Sequence, residues 1–84
     1  MSPSDVQRLA RLHQQLQSGE ARAIRVRAGV GRVVIAGSVG PVSESAVARW
    51  ERGERIPRPD VGLRYARLLD RLQRQLDAGQ PASA

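Results

Sequence analysis

The chain has 84 residues, a length that allows one small domain. Its 14 basic residues are all arginines, and they outnumber the 8 acidic residues to give a formal net charge of +6. This excess favours nucleic acid as the partner, because arginines that bind phosphates release counterions. The absence of cysteine excludes disulfides, a thiolate nucleophile and a cysteine-based zinc site.

Composition also disfavours several other classes of function. The longest apolar run, residues 33–36, is too short for a membrane span, and the N-terminus lacks the pattern of a signal peptide, so we expect a cytoplasmic protein without a membrane partner. Trp50 and Tyr65 are the only aromatic residues, which disfavours base stacking on single strands. With one histidine and no lysine, the chain offers no nucleophile–base pair, so we expect no enzyme.

The N-terminal segment has the pattern of an amphipathic helix over residues 5–17, which Ser18 and Gly19 end. Ser2 or Ser4 can cap its start. Apolar residues then recur at spacings of three and four, namely Val6, Leu9, Leu12 and Leu16. His13 lies near this stripe, and we interpret it as a packed or half-exposed residue rather than a ligand.

Residues 20–28 predict a second helix, but residues 32–40 support two interpretations. The Val-Val-Ile run between glycines favours a strand by propensity. A helix would instead place Val33, Ile35, Ala36 and Val39 on one face, with two glycines that cost roughly 1 kcal/mol each. The glycines of residues 29–40 lack the Gly-Lys-Ser/Thr ending of a phosphate-binding loop, so we expect no nucleotide cofactor.

The sequence of residues 42–53 predicts a short amphipathic helix with recognisable residues at both ends. Ser43 can cap it, and Gly53 supplies the left-handed backbone that commonly ends a helix. Ala46, Val47 and Trp50 fall on one face, which we predict to be buried. The outer face carries Glu44, Ser45, Ala48, Arg49 and Arg52, a composition suited to the DNA major groove.

The C-terminal part begins with a basic loop that two prolines interrupt. Pro59 and Asp60 then start a helix in the favoured way, with proline in the first turn. Its apolar stripe extends to about Asp77 and contains Val61, Tyr65, Leu68, Leu69, Leu72 and Leu76. We predict a flexible tail over residues 78–84.

Residues 25–69 resemble the phage-repressor/Cro-type helix-turn-helix domain, also called the XRE type. The resemblance is carried by residues 25–30 (Arg-Val-Arg-Ala-Gly-Val), 35–36 (Ile-Ala), 39–40 (Val-Gly), 42–43 (Val-Ser) and 45–53, which end in Arg-Trp-Glu-Arg-Gly. A basic loop and residues 65–69 complete it, whereas residues 1–19 lie outside it. The resemblance implies an all-α, five-helix, lambda-repressor-like domain, in which residues 32–40 form a helix.

The resemblance also implies a division of the chain. Residues 1–19 would form an additional helix for dimerisation or core capping, and residues 20–77 the DNA-binding domain. Pro41 departs from the family pattern, because it is an extra residue in the turn and is expected to change the angle between the two helices.

The resemblance implies two sets of DNA contacts. Base contacts fall on Glu44, Ser45 and Arg49, and Arg49 can donate two hydrogen bonds to guanine. The predicted phosphate contacts, which set register, are Arg32, Ser43, Arg52, Arg55 and Arg58. Two roles remain open for Glu44: it accepts from cytosine, or, as we favour slightly, it pairs with Arg32 and holds that arginine against a phosphate.

Two further residues of the predicted recognition helix have structural roles. Trp50 shares a face with Val47 and is expected in the core. The resemblance pairs Glu51 with an arginine of the preceding part of the chain, here Arg25, which predicts a structural ion pair.

The leading hypothesis is a sequence-specific, double-stranded DNA-binding transcriptional regulator of bacterial or phage origin. The resemblance implies a homodimer on near-palindromic half-sites, with residues 5–17 and 60–77 as candidate dimer surfaces. The alternative is a helix-turn-helix adaptor, such as an antitoxin or a recombination-directionality partner, that uses the same surfaces to bind protein. We expect no metal, cofactor or small-molecule ligand.

Overall fold

The computed structural model describes residues 1–79, which form five α-helices and no strand. The helices are α1 (Pro3–Ser18), α2 (Glu20–Arg27), α3 (Arg32–Val39), α4 (Glu44–Glu51) and α5 (Pro59–Asp77). The all-α, five-helix prediction is therefore confirmed. Residues 80–84, the end of the predicted tail, lie outside the described residues.

Helix α1 begins with a capping box at Ser2. The Ser2 hydroxyl accepts a hydrogen bond from the Asp5 backbone N–H at 3.2 Å, and the Asp5 carboxylate accepts one from the Ser2 N–H. Leu12 and Leu16 are buried as expected, but Val6 is 54% exposed. The predicted apolar stripe is thus buried only in part, because Leu9 is half-buried and the stripe is fully buried only from Leu12 onward.

The ambiguous segment is helix α3, so the strand favoured by propensity is wrong. Ile35, Ala36 and Val39 are buried in the core, and this packing outweighs the preference of the valines for a strand. Val33 was expected on the same face but is 65% exposed. Residues two apart in a helix point to nearly opposite sides, so Val33 and Ile35 cannot both face the core.

The turn between α3 and α4 depends on the glycine at position 40. A Cβ atom there would lie 2.5 Å from the Ala36 carbonyl oxygen and 2.6 Å from the Val42 nitrogen, distances at which a side chain clashes with backbone. Pro41 follows through a cis peptide bond and is exposed, so the extra residue is accommodated at the surface. Ser43 then caps α4 by accepting from the Ala46 N–H at 3.1 Å.

Helix α5 lies at the centre of the packing and contacts α1, α2 and α3. The Tyr65 ring of α5 lies against Trp50 of α4, with ring centroids 5.8 Å apart. Trp50 is only 5% exposed, which agrees with its expected place in the core. Within residues 1–79, the buried apolar residues of this core are Leu12, Leu16, Ala21, Ile24, Ala28, Ile35, Ala36, Val39, Val47, Trp50, Val61, Tyr65, Ala66, Leu69 and Leu72.

We predict that Tyr65→Phe maintains or increases the free energy of unfolding, by up to about 1 kcal/mol. The Tyr65 ring is fully buried, and its hydroxyl has no hydrogen-bond partner among residues 1–79. Removing the hydroxyl therefore removes a desolvated polar group while the ring contacts remain. Urea unfolding measures the difference, and a loss of more than about 1 kcal/mol would contradict this view of the hydroxyl.

Candidate DNA-binding surface

Helix α4 has an outer face of polar residues and an inner face fixed to the core. Glu44, Ser45, Arg49 and Arg52 are exposed, whereas Val47, Trp50 and Glu51 are buried. Ala46 is half-buried and packs against the core, close to its expected place. The side chains predicted to contact bases therefore lie together on the exposed side of one short helix.

A buried carboxylate fixes this helix to the two helices before it. The Glu51 side chain is 1% exposed and accepts hydrogen bonds from Arg25 of α2 and Arg32 of α3. Arg25 binds both carboxylate oxygens, with Nε to Oε2 at 2.6 Å and an amino nitrogen to Oε1 at 3.1 Å. Arg25 also donates to the Val30 carbonyl oxygen at 3.1 Å, which fixes the loop before α3. The structure thus brings together the two residues expected to form an ion pair and adds Arg32.

The two arginines determine the ionisation of Glu51. Burial alone would raise the pKa of this carboxyl group, because desolvation disfavours the charged form. Hydrogen bonds from Arg25 and Arg32, together with their positive charges, outweigh that effect and hold the pKa of Glu51 below its usual value of 4.5. Glu51 is therefore an anion in the folded protein at neutral pH.

The predicted pair between Glu44 and Arg32 is wrong. Arg32 Nε donates instead to Glu51 Oε1 at 3.0 Å, and no ion pair joins Glu44 to an arginine within the described part of the chain. Glu44 and Glu51 begin and end α4, about 10 Å apart along its axis, so Arg32 cannot serve both. Glu44 lies in the first turn, where a negative charge complements the helix dipole.

Of the arginines predicted to bind phosphates, Arg32 and Arg52 are ion-paired, whereas Arg55 and Arg58 have no ion pair within residues 1–79. Arg52 is paired with Glu54 two residues later, with an amino nitrogen 3.3 Å from Oε1, and both side chains are about half exposed. Arg55 and Arg58 are exposed in the loop before α5, and neither makes a side-chain hydrogen bond within residues 1–79. The Arg32 side chain is 34% exposed, which leaves part of its guanidinium accessible.

Arg49 differs from these arginines in lying on the outer face of α4 itself. Its side chain is exposed, and no hydrogen bond or ion pair within residues 1–79 engages its guanidinium. Ser45 precedes it by one helical turn on the same face. The exposed guanidinium of Arg49 therefore lies beside the small hydroxyl of Ser45, on a helix whose opposite side is buried and ion-paired.

Sequence reasoning missed two features near this surface. One is the second bond to Glu51, for which Arg32 at the first turn of α3 gave no distinctive signal. The other is Arg64, whose Nε donates to the Val39 carbonyl oxygen at 3.1 Å and so satisfies the end of α3. The sequence signal for Arg64 is its place in a series of arginines that recur every three or four residues along residues 60–77.

Comparison with known families agrees with this geometry. A family model described as a helix-turn-helix domain matches residues 18–78, which is most of the chain. The chain therefore belongs to this helix-turn-helix family, consistent with its resemblance to the phage-repressor/Cro type. No curated protein and no solved structure matches the chain.

None of the helices in residues 1–79 combines the length and apolar character that crossing a membrane requires. Within the same residues, no three histidine or carboxylate side chains lie close enough together to hold a metal ion.

We predict that Arg25→Ala lowers the free energy of unfolding by about 3 kcal/mol, because it leaves a buried carboxylate with one half-exposed partner. Arg32→Ala is the matched comparison. Its side chain is 34% exposed, so solvent replaces much of what is lost and the cost is at most about 1 kcal/mol. Urea unfolding of both variants measures the difference, and unchanged stability of Arg25→Ala would refute the structural role of this pair.

The lowered pKa of Glu51 predicts a specific dependence of stability on pH. The contribution of the carboxylate is fully present above its unfolded pKa, about 4.5, and is lost as pH falls through the lower folded pKa. The stability difference between the wild type and Glu51→Gln should therefore be constant near neutral pH and shrink below about pH 4.5. Unfolding curves at several pH values test this, and a difference that grows on acidification would contradict it.

Proposed function

We propose that the protein is a sequence-specific, double-stranded DNA-binding transcriptional regulator of the repressor/Cro kind. The observation that carries this proposal is the position of Arg49: unpaired and exposed, on the outer face of a helix whose inner face is held by Trp50 and Glu51. Membership of a helix-turn-helix family supports DNA as the ligand. Such domains are typically non-enzymatic, so the proposed activity is binding without catalysis.

In this proposal α4 is the recognition helix and lies in the major groove. Arg49 donates two hydrogen bonds to O6 and N7 of a guanine, the most frequent specific contact of arginine with a base. Glu44 and Ser45, at the exposed start of the helix, contact neighbouring bases. Because Arg32 is engaged by Glu51, Glu44 takes its remaining role as an acceptor from cytosine N4.

The phosphate contacts set the orientation of the domain on the duplex. Arg32, Arg55 and Arg58 lie on α3 and in the loop before α5, on both sides of α4 in the chain. Ser43 uses its hydroxyl oxygen to cap α4, which leaves the hydroxyl proton for a phosphate oxygen. Glu54 already engages two of the three guanidinium nitrogens of Arg52, so we place Arg52 behind the other three arginines in affinity for phosphate.

A homodimer on two half-sites is part of the proposal, as the resemblance implies. The apolar stripes of α1 and α5 are used largely inside the protomer, since Leu12, Leu16, Leu69 and Leu72 are buried. This burial supports a core-capping role for residues 1–19. Exposed valines at positions 26, 33 and 34 on α2 and α3 offer an alternative surface for a second copy.

The decisive experiment is the selection of bound duplexes from a random pool, with the wild type, Arg49→Ala and the control Arg22→Ala. Arg22 is exposed on α2 and belongs to neither predicted set of contacts, and its removal changes the net charge equally. We expect Arg49→Ala to lose preference at one or two base positions, at a cost of about 1–3 kcal/mol for each cognate site. The control should keep the full preference.

The selected sequences also test the dimer. Two inverted half-sites with centres about one helical turn apart support a two-fold homodimer, whereas a single asymmetric site indicates a monomer. The proposed function fails if the wild type selects no sequence and its affinity for duplex hardly changes with salt. As a regulator of genes, the protein would act on DNA in the cytoplasm of a bacterium.

A further inference from the structure

A basic groove lies between α1, α3 and α5, apart from the candidate DNA-binding surface. Its volume is about 390 Å³. Five arginines and one acidic residue are among its lining residues, which are Arg8, Ser38, Arg64, Arg67, Asp70, Arg71 and Arg74. Helix α4 contributes none of them, and none belongs to the residues assigned above to bases or phosphates.

Four of these arginines follow one side of α5. We call Arg64, Arg67, Arg71 and Arg74 the α5 basic stripe. Their spacings of three, four and three residues place them on one face of the helix, over a length of about 15 Å. Like charges at these spacings repel one another and weaken a helix, so the mutual spacing of the four arginines does not by itself stabilise α5.

Few groups within residues 1–79 neutralise this charge. Arg64 donates to the Val39 carbonyl oxygen and lies 3.9 Å from Asp60, and Arg74 donates to the Asp70 carbonyl oxygen at 3.4 Å. Arg8, Arg67 and Arg71 are exposed, and no hydrogen bond or ion pair of the described residues involves them. The groove therefore presents a surplus of arginine charge to an external anion.

The shape of the array indicates the kind of anion. A small phosphorylated ligand needs donors that converge on one point, whereas the stripe extends along the helix and is open to solvent. Both aromatic residues of the chain, Trp50 and Tyr65, are buried in the core, so the groove has no ring on which an unpaired base can stack. An extended polyanion with its bases already stacked, which is duplex DNA, meets both conditions.

We propose that the α5 basic stripe and Arg8 form a second, sequence-independent binding surface for the phosphate backbone of double-stranded DNA. This inference rests on the proposed function, because duplex DNA is the same ligand. The backbone comes from one of two sources: the flanks of the duplex that α4 reads, or a second duplex that the protein holds beside the first. The chemistry is the same for both, since guanidinium groups bind phosphate oxygens and release counterions.

The test compares Arg67→Gln/Arg71→Gln with the control Arg22→Gln/Arg27→Gln, which removes the same charge from exposed positions of α2. Affinity for a duplex of random sequence is measured by fluorescence anisotropy between about 50 and 200 mM salt. If two phosphate contacts are lost, the slope of log affinity against log salt becomes less steep by about 1.8. Raising the salt over this range should therefore weaken binding of the stripe variant by a factor about ten times smaller than for the wild type. The control should keep the wild-type slope.

The variant Arg67→Lys/Arg71→Lys tests whether the effect depends on positive charge or on the guanidinium group. It should keep the wild-type slope, because counterion release requires only the charge. Circular dichroism shows whether each variant is folded.

The source of the bound backbone is tested with duplexes of about two to about six helical turns. If the affinity difference between the wild type and Arg67→Gln/Arg71→Gln grows with duplex length, the flanks of the duplex read by α4 are the source. Stripe-dependent capture of a labelled duplex by an immobilised one indicates a second duplex.

Three results overturn the inference. If the stripe variant and the α2 control have equal slopes while the wild type binds duplex, the stripe is not a DNA surface, although the proposed function stands. If the stripe variant binds duplex like the control but loses binding to poly-glutamate, the groove is a surface for acidic protein. If the wild type binds no duplex at all, the proposed function and this inference fail together.

Discussion

The carboxylate of Glu51 is the contact on which the arrangement of the other helices depends. It is almost completely buried at the end of α4, and it binds one arginine from α2 and one from α3. A desolvated carboxylate is costly unless charged donors surround it, so these contacts favour the observed relative position of α2, α3 and α4. The chain has 84 residues and a small apolar core. In such a domain a directional ion pair restricts the relative orientation of the helices more than non-directional apolar burial does.

This constraint separates the two sides of α4. Trp50, Val47 and Glu51 hold the inner side, so the outer side is presented at a fixed angle without any contribution from Arg49 or Ser45. The residues that would choose a base sequence are therefore not the residues that keep the helix in place. Under the proposed function, substitutions at position 49 would alter recognition while the fold remains, because one fold can carry many different sites.

Some of this arrangement could be predicted from the sequence, and some could not. The ends of α4 follow from local chemistry at Ser43 and Gly53, and the partner of Glu51 on α2 follows from family resemblance. Residues 32–40 could not be assigned from propensity, because Val-Val-Ile favours a strand until Ile35 and Val39 find a core to enter. The partner of Arg32 was wrong for a similar reason: which of two glutamates an arginine meets depends on how the helices cross, and spacing along the chain does not contain that information.

The pair between Arg52 and Glu54 has a consequence for how the protein would search a genome. Glu54 acts as an internal counterion, tethered two residues from the arginine that it neutralises, and both side chains are about half exposed. Every phosphate that approaches Arg52 competes with this tethered anion, so an encounter with arbitrary DNA gains less from this arginine than from an unpaired one. If the proposed function holds, short residence on wrong sequences and faster transfer between them would follow from the same competition. In that case, an acidic residue at the edge of the proposed DNA-binding surface would lower the affinity for non-specific DNA and raise the rate at which the protein moves between sites.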